Sequence, residues 1–205
     1  TAALLALGLG AVTMFSQFPV SAAEETAQNT DAAAQTADPS VVVTNGIDGW
    51  PQASDISSAA AIVMETSTNT VLYSKNADQP LYPASAVKIM TCLIALENSS
   101  LDDTVTFSHD AVYNVEDGSG NKNAIEEGDT LSVRDCLYLL LMRSSNQAAN
   151  ALAEHVGGSR DGFVKMMNEK TAELGCENSH FANPSGLNDD TQLTSVYDMA
   201  LIASA

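Results

Sequence analysis

The sequence predicts an α+β fold, because one strand pair is followed by clustered helices and no strand-helix alternation appears. The chain has 205 residues, of which 45% are hydrophobic, enough for one domain with its own core. Residues 59–65 form an apolar run, 66–69 supply turn residues, and 70–74 are typical of a returning strand. The folded region is therefore expected to open with an antiparallel hairpin.

The helices are predicted from apolar spacing and capping residues. Pro83 stands where a helix begins, and Ser85–Glu97 is apolar on nearly every side, which predicts a buried helix. Further helices are predicted over 133–142 with Ser132 as N-cap, over 146–156, from Ser159 to Gly175, and from Thr194 to the last residue, Ala205.

Composition excludes several classes of function. The net charge is −18 and the pI is near 4.1, which leaves little positive charge for binding nucleic acid. Three scattered cysteines, Cys92, Cys136 and Cys176, form neither a disulfide framework nor a metal motif, so free and mostly buried thiols are expected. No metal and no cofactor is predicted.

The first 58 residues differ from the rest of the chain. Residues 1–23 carry no charge, and their apolar run is followed by a small-residue cleavage site, which predicts a signal peptide truncated at its front. Residues 24–58 hold six of the 26 acidic residues and no basic one, which indicates an acidic flexible linker. Residues 59–205 then keep a net charge of −12.

Lys88 is the only charge in its predicted helix before Glu97. Burial of an unpaired ammonium is costly and is commonly resolved by a lowered pKa. Ser85 lies three residues earlier, on the same helix face, where a neutral lysine could take its hydroxyl proton. The pair predicts a nucleophile and its base, although a single S-x-x-K is common by chance and a snorkelling Lys88 is the alternative.

The N–H of Ser85 strengthens this interpretation. With Pro83 as the first helical residue, Ser85 lies near the third position, where its N–H has no acceptor within the helix. The helix dipole adds positive potential at that end. This N–H is therefore predicted to form half of an oxyanion hole.

A second polar element follows at Ser144, Ser145 and Asn146, in a predicted break between two helices. S-x-x-K followed by S-x-N is the opening motif pair of the penicillin-recognising serine enzymes. The chain resembles the D-alanyl-D-alanine carboxypeptidase family, the low-molecular-weight penicillin-binding proteins, from about residue 59 to its end. The resemblance is carried by YPASAVKIMT (82–91), MRSSNQAANALAE (142–154), FVKMMN (163–168) and HFANPSGL (180–187).

The resemblance implies a role for each motif residue. Ser85 would be the acylated nucleophile, Lys88 its general base, and Ser144 the proton relay to the leaving D-alanine, while Asn146 would bind the substrate amide. The implied reaction removes the terminal D-alanine of peptidoglycan pentapeptides, with β-lactams as covalent inhibitors. The resemblance also implies a β-lactamase/transpeptidase-like fold and an exported protein of the cell envelope or periplasm.

One family element is missing. The family has a K-T-G or K-S-G motif on a sheet strand, but no lysine of this sequence is followed by Thr-Gly or Ser-Gly. The usual place of this motif is downstream of residue 205. We therefore expect residues 59–205 to be the N-terminal, incomplete part of the catalytic domain, truncated before the last strands and inactive by itself. Any membrane anchoring is expected to depend on a C-terminal helix beyond residue 205.

Three alternatives stay open at this point. A D,D-endopeptidase would use the same residues, and a class A β-lactamase shares S-x-x-K but needs a deacylating Glu for which no E-x-x-L-N stretch is present. A non-catalytic binding module on this fold is the third. His109, His155 and His180 have no partner at the spacing of a metal site or a Ser-His-Asp triad.

Overall fold

The computed structural model describes residues 47–49, 56–115 and 125–205. The predicted signal peptide 1–23 and most of the predicted linker 24–58 lie outside the described residues. Both remain predictions. The hairpin and all four motif stretches lie within the described part.

The predicted hairpin is present as β1 (Ala61–Glu65) and β2 (Thr70–Lys75), paired antiparallel with a register shift between Val63 and Met64. The Glu65 carboxylate accepts hydrogen bonds from the backbone and hydroxyl groups of Ser67 and Thr68. These contacts close the turn between β1 and β2, where Ser and Thr are common because their hydroxyl groups form local hydrogen bonds. β1 also packs against the C-terminal helix α6 (Val196–Ser204).

The predicted helix 85–97 is divided in the structure. A 3-10 turn, Ala84–Val87, precedes helix α1, Lys88–Asn98. Pro83 is the residue before this turn and not its first member, and Ala84 has a φ of +47°. Since a left-handed residue cannot continue an α-helix, the chain tightens to a 3-10 turn before the regular helix begins.

Three short elements were not predicted: α2 (His109–Tyr113), β3 (Thr104–Thr106) and β4 (Thr130–Ser132). β3 and β4 pair antiparallel and form a second two-stranded sheet. Segments of three to five residues are too short to establish a hydrophobic period in the sequence. Their positions depend on the helices that they pack against.

The longer helices match the predictions to within a few residues. They are α3 (Val133–Arg143), α4 (Asn146–Gly157) and α5 (Arg160–Glu173). Ser132 and Ser159 cap α3 and α5 as predicted, each accepting from a backbone N–H three residues later. Within the described ranges, no helix is both long and apolar enough to cross a bilayer.

Thr194 was the wrong cap for the last helix. Its N–H and carbonyl pair with Leu81 in an isolated bridge, which holds it in extended backbone. Ser195 caps α6 instead, accepting from the N–H of Asp198. Because Thr194 pairs with Leu81, α6 is capped one residue later than the sequence predicted.

α1 lies between two apolar clusters. Ala95 contributes to one, with β3, α2, α3 and α4, whereas Met90 and Ile94 contribute to the other, with Val87 of the 3-10 turn and residues of α4, α5 and α6. The helix is buried on these faces, but Ile89 and Leu96 are exposed, so the predicted burial on nearly every side was too broad. This position places the N-terminus of α1 beside the N-terminus of α4.

The cysteines are free, as predicted. Cys136 is fully buried, whereas Cys92 and Cys176 are only partly buried. The expectation of mostly buried thiols therefore holds fully for one of the three, whereas Cys92 and Cys176 pack against the core while partly exposed.

Candidate active site

All four predicted site residues come together where α1 and α4 begin. Lys88 Nζ lies 3.2 Å from Ser85 Oγ and 2.8 Å from Asn146 Oδ1, and Ser144 Oγ lies 2.9 Å from Ser85 Oγ. The two motifs are 58 residues apart at the Lys88–Asn146 contact. Tertiary packing of α1 on α4 therefore assembles the cluster.

Lys88 is the buried centre of the cluster. Its side chain is 2% exposed, and its Nζ also donates to the backbone carbonyl of Ser185. Burial lowers the pKa of the Lys88 ammonium from 10.5 to about 8. About a tenth of the lysine is then neutral at pH 7, far more than at a pKa of 10.5, and a general base requires this neutral form.

The acceptors around Lys88 determine where its lone pair points. Neutral lysine has two N–H donors and one lone pair, and carbonyl oxygens can only accept hydrogen bonds. The Asn146 and Ser185 oxygens therefore take the two N–H groups. The ammonium form of Lys88 also donates to Ser85 Oγ. When that third proton is lost, Ser85 is the neighbour that can donate to the lone pair, which is the geometry for removing its hydroxyl proton.

The two serines face solvent, in contrast to the lysine. Ser85 and Ser144 are both exposed, whereas Lys88 and Asn146 are buried. The predicted break between the helices is confirmed: Ser144 ends α3 with a φ of +54°, and Ser145 caps α4 by accepting from the N–H of Ala148. The left-handed turn brings the Ser144 hydroxyl to Ser85 at the accessible side of the cluster.

The backbone at the nucleophile has two further features. Within the part of the chain that the structure describes, the Ser85 N–H donates to no acceptor, in agreement with the predicted oxyanion donor. Ala84, just before it, has the positive φ that costs a non-glycine residue about 1 kcal/mol. Strain of this kind is concentrated at functional sites.

The loop 182–192 is the part of the site that sequence reasoning missed. It supplies the Ser185 carbonyl to Lys88 and the Pro184 carbonyl to Thr91 Oγ1, at 2.7 Å. The HFANPSGL stretch contributed to the family resemblance, but the sequence assigned it no chemistry. Every residue has a carbonyl, so only its direction in space identifies this one.

Two of the histidines contact groups outside the Lys88 cluster. His109 contacts Glu127 and Tyr113, and the backbone of His180 forms a bridge with Leu193. Among the described residues, no group of three or more His, Cys, Asp or Glu side chains could hold a metal ion.

The chain is similar to known D-alanyl-D-alanine peptidases. A family model described as D-alanyl-D-alanine carboxypeptidase matches residues 48–205. The chain is 39% identical over 147 residues to D-alanyl-D-alanine carboxypeptidase DacF of Bacillus subtilis, covering 70% of this chain and 37% of that protein. It is 35% identical over 140 residues to a D-alanyl-D-alanine endopeptidase of Pseudomonas aeruginosa, covering 68% and 44%.

Solved structures agree. Penicillin binding protein 6B from Escherichia coli superimposes with a TM-score of 0.71 at 31% identity, over 77% of this chain and 52% of that one. The described helices and small antiparallel sheets therefore have the α+β penicillin-binding fold predicted from the motifs. The chain spans about two fifths of the length of the curated relatives.

Proposed function

The chain belongs to the D-alanyl-D-alanine carboxypeptidase family, and on that premise we propose that the protein is a serine-type D-Ala-D-Ala carboxypeptidase. Its proposed substrate is the peptidoglycan stem pentapeptide, from which it removes the terminal D-alanine. The chain spans only part of its relatives, so the activity proposed is that of the whole protein.

One observation carries the proposal: the buried Lys88 amine has two carbonyl acceptors and the Ser85 hydroxyl around it. A purely structural lysine would be expected to pair with a carboxylate or to extend to solvent. Here the neighbouring groups are uncharged and burial lowers the pKa of Lys88 to about 8, which raises the fraction of neutral amine that can act as a base.

Acylation follows from these contacts. Lys88 Nζ takes the Ser85 hydroxyl proton while Ser85 Oγ forms a bond to the carbonyl carbon between the two D-alanines. The Ser85 N–H faces the developing oxyanion. As the C–N bond breaks, Ser144 Oγ passes a proton to the leaving amine and takes up in exchange the proton that Lys88 removed from Ser85. Free D-alanine departs, and Lys88 is again neutral.

Deacylation returns the enzyme to its starting state. Water attacks the Ser85 ester: one of its protons restores the Ser85 hydroxyl, the other is lost to solvent, and the shortened peptide leaves as a carboxylate. In a β-lactam the broken amide nitrogen stays tethered to the acyl group, so it does not leave the site. We therefore expect penicillins to acylate Ser85 and to persist there.

A D,D-endopeptidase is the second candidate, because a relative 35% identical to this chain carries that name. Both reactions would use the same four residues and would differ in the amine that leaves. The substrate lies outside the cytoplasm, so the proposal includes export of the protein. Membrane anchoring through a later helix stays a prediction.

The test is the intact mass of the whole protein after exposure to benzylpenicillin. We expect one stable adduct, lost in Ser85→Ala and kept in Ser67→Ala, which removes an exposed serine in the β1–β2 turn. Absence of the adduct from the folded wild type would overturn the proposal and leave a binding module. Rapid loss of the adduct would indicate a β-lactamase.

A second assay separates the two peptidase candidates. Release of D-alanine from a pentapeptide supports the carboxypeptidase. Cleavage of a cross-linked peptide dimer without that release supports the endopeptidase.

A further inference from the structure

The two acceptors of Lys88 are held in different ways. Asn146 belongs to a capped helix, whereas the Ser185 carbonyl lies in a loop outside regular secondary structure. A carbonyl in such a loop needs its direction maintained by other contacts. Those contacts come from the side-chain amides of Asn183 and Gln192.

Asn183 closes the turn that carries the carbonyl. Its Oδ1 accepts from the backbone N–H groups of Ser185 at 3.2 Å, Gly186 at 2.8 Å and Leu187 at 3.2 Å. Its Nδ2 donates to the Leu187 carbonyl at 3.0 Å. The turn is thus wrapped around one amide, in the manner of an Asx turn.

Gln192 holds both ends of the same turn. Its side chain is 2% exposed, and its Oε1 accepts from the N–H groups of Ala182 at 3.1 Å and Asn183 at 3.0 Å. Its Nε2 donates to the Leu187 carbonyl at 3.0 Å. Because both lone pairs of Oε1 are used, the buried amide is committed to the loop.

Besides Lys88, the turn also contacts the backbone around Ser85 and the side chain of Thr91. A Cβ built on Gly186, which has a φ of +88°, would lie 2.0 Å from the Ala84 carbonyl oxygen and 2.9 Å from Ser85 N. The turn therefore lies directly against the backbone of the nucleophile. The Pro184 carbonyl fixes it to α1 through Thr91.

We propose that Gln192, acting through the Asn183 turn, is a positioning residue that holds the Ser185 carbonyl on the Lys88 amine and keeps water out of that contact. The effect of Gln192 on the Lys88 amine does not depend on which reaction the protein catalyses. Its catalytic consequence rests on the proposed function.

The surroundings of Lys88 make this positioning measurable. The groups facing its amine are Ser85 from the 3-10 turn, Asn146 from α4 and the Ser185 carbonyl from the loop, and none carries a charge. The acidic residues of the loop, Asp189 and Asp190, are exposed. Burial is thus the cause of the lowered pKa, and water admitted by a loosened turn raises it towards 10.5.

The experiment is an NMR titration of the lysine side chains in whole protein labelled on lysine Cε, with Gln192→Met as the variant. Methionine keeps the approximate length of the side chain and removes both amide groups. We expect the Lys88 midpoint to rise by about one pH unit, and the neutral fraction at pH 7 to fall about tenfold.

Asn168→Leu is the matched control. The Asn168 amide also ties a loop to a helix, accepting from the Phe181 N–H at 3.0 Å and donating to the Phe181 and Val164 carbonyls. It does not reach the Lys88 cluster, so its loss is expected to lower thermal stability and to leave the Lys88 midpoint in place. An equal shift in both variants, or none in a folded Gln192→Met protein, would overturn the proposal.

Penicillin acylation measured on the same samples separates this inference from the proposed function. A shifted Lys88 midpoint in a protein that benzylpenicillin does not acylate supports the positioning and contradicts the carboxypeptidase. Normal acylation in a protein whose Lys88 midpoint is unshifted supports the carboxypeptidase and contradicts the positioning.

Discussion

The two oxygens that accept from Lys88 perform the same task on different supports. Asn146 Oδ1 is a side-chain atom on the first residue of α4, whereas the Ser185 oxygen is a backbone atom in a loop. The helix needs only its Ser145 cap and its packing against α1 to hold Asn146 in place. The loop needs two further amides.

The difference shows why one half of this site is visible as a motif and the other half is not. Asn146 acts through its own side chain, so its identity appears in the sequence. Ser185 acts through an atom that every residue has, and the residues that aim it, Asn183 and Gln192, do not contact Lys88 themselves. A search for chemically active side chains therefore finds the helix and passes over the loop.

The largest effect is expected from a charge on the helix side. Asn146→Asp places a carboxylate where Oδ1 lies 2.8 Å from Lys88 Nζ, which stabilises the ammonium and raises its pKa by roughly 1–3 units. Acylation by benzylpenicillin at pH 7 should fall about 100-fold and recover at higher pH. Asn146→Ala is the uncharged control, and an acylation profile of Asn146→Asp with the wild-type pH dependence would contradict the prediction.

The next effect concerns stability: burial of the Lys88 ammonium lowers the free energy of unfolding, even though the amine has two carbonyl acceptors. Its pKa is about 8 when folded and 10.5 when exposed, so between these values the unfolded chain binds more protons and stability rises with pH. Below pH 8 the full cost is present, about 3 kcal/mol. Relative to Lys88→Met, the wild type should gain that amount between pH 7.5 and 10.5 in chemical denaturation.

The contribution of the buried thiols to the free energy of unfolding cancels in the comparison with Lys88→Met, because the same cysteines titrate in both proteins. A constant difference in the free energy of unfolding across this pH range would show that Lys88 is not buried as a perturbed base.

A smaller effect is expected from crowding on the loop side. Gly186→Ala adds a Cβ 2.0 Å from the Ala84 oxygen, so the turn and the nucleophile backbone must separate. Acylation should fall about tenfold. Gly158→Ala is the control, since Gly158 has a similar φ of +70° but open space around the added Cβ, and it separates backbone strain from the contact. Equal acylation by both variants would contradict the role of the contact.

The smallest effect is expected at the loop acceptor itself. Ser185→Ala keeps the carbonyl and removes one hydrogen bond from the hydroxyl to Asn183 Oδ1, at 3.1 Å. Stability should fall by about 1 kcal/mol and acylation by no more than about threefold. A loss of acylation of tenfold or more would mean that the Ser185 side chain, and not its backbone, serves Lys88.

Local signals predicted most of the fold. The hairpin, the serine caps at 132 and 159 and the break at Ser144 depend on neighbours within a few residues, and the structure has all of them. The corrected boundaries depend on distant partners: Thr194 pairs with Leu81, and the strained Ala84 lies against Gly186. No local pattern reports such contacts.

The sequence by itself determined the α+β class, the family and the four side chains of the candidate site. The strand pair followed by helices predicts the class, helix spacing brings Ser85 beside Lys88, and the resemblance of the motif stretches implies the family and the roles of Ser144 and Asn146. Tertiary structure alone decided which groups surround the buried Lys88 amine: the Asn146 and Ser185 carbonyl oxygens, which can only accept, and the Ser85 hydroxyl, which can also donate. The physical reason is that desolvation and backbone direction are set by segments about 60 and 100 residues away, here α4 and the loop 182–192.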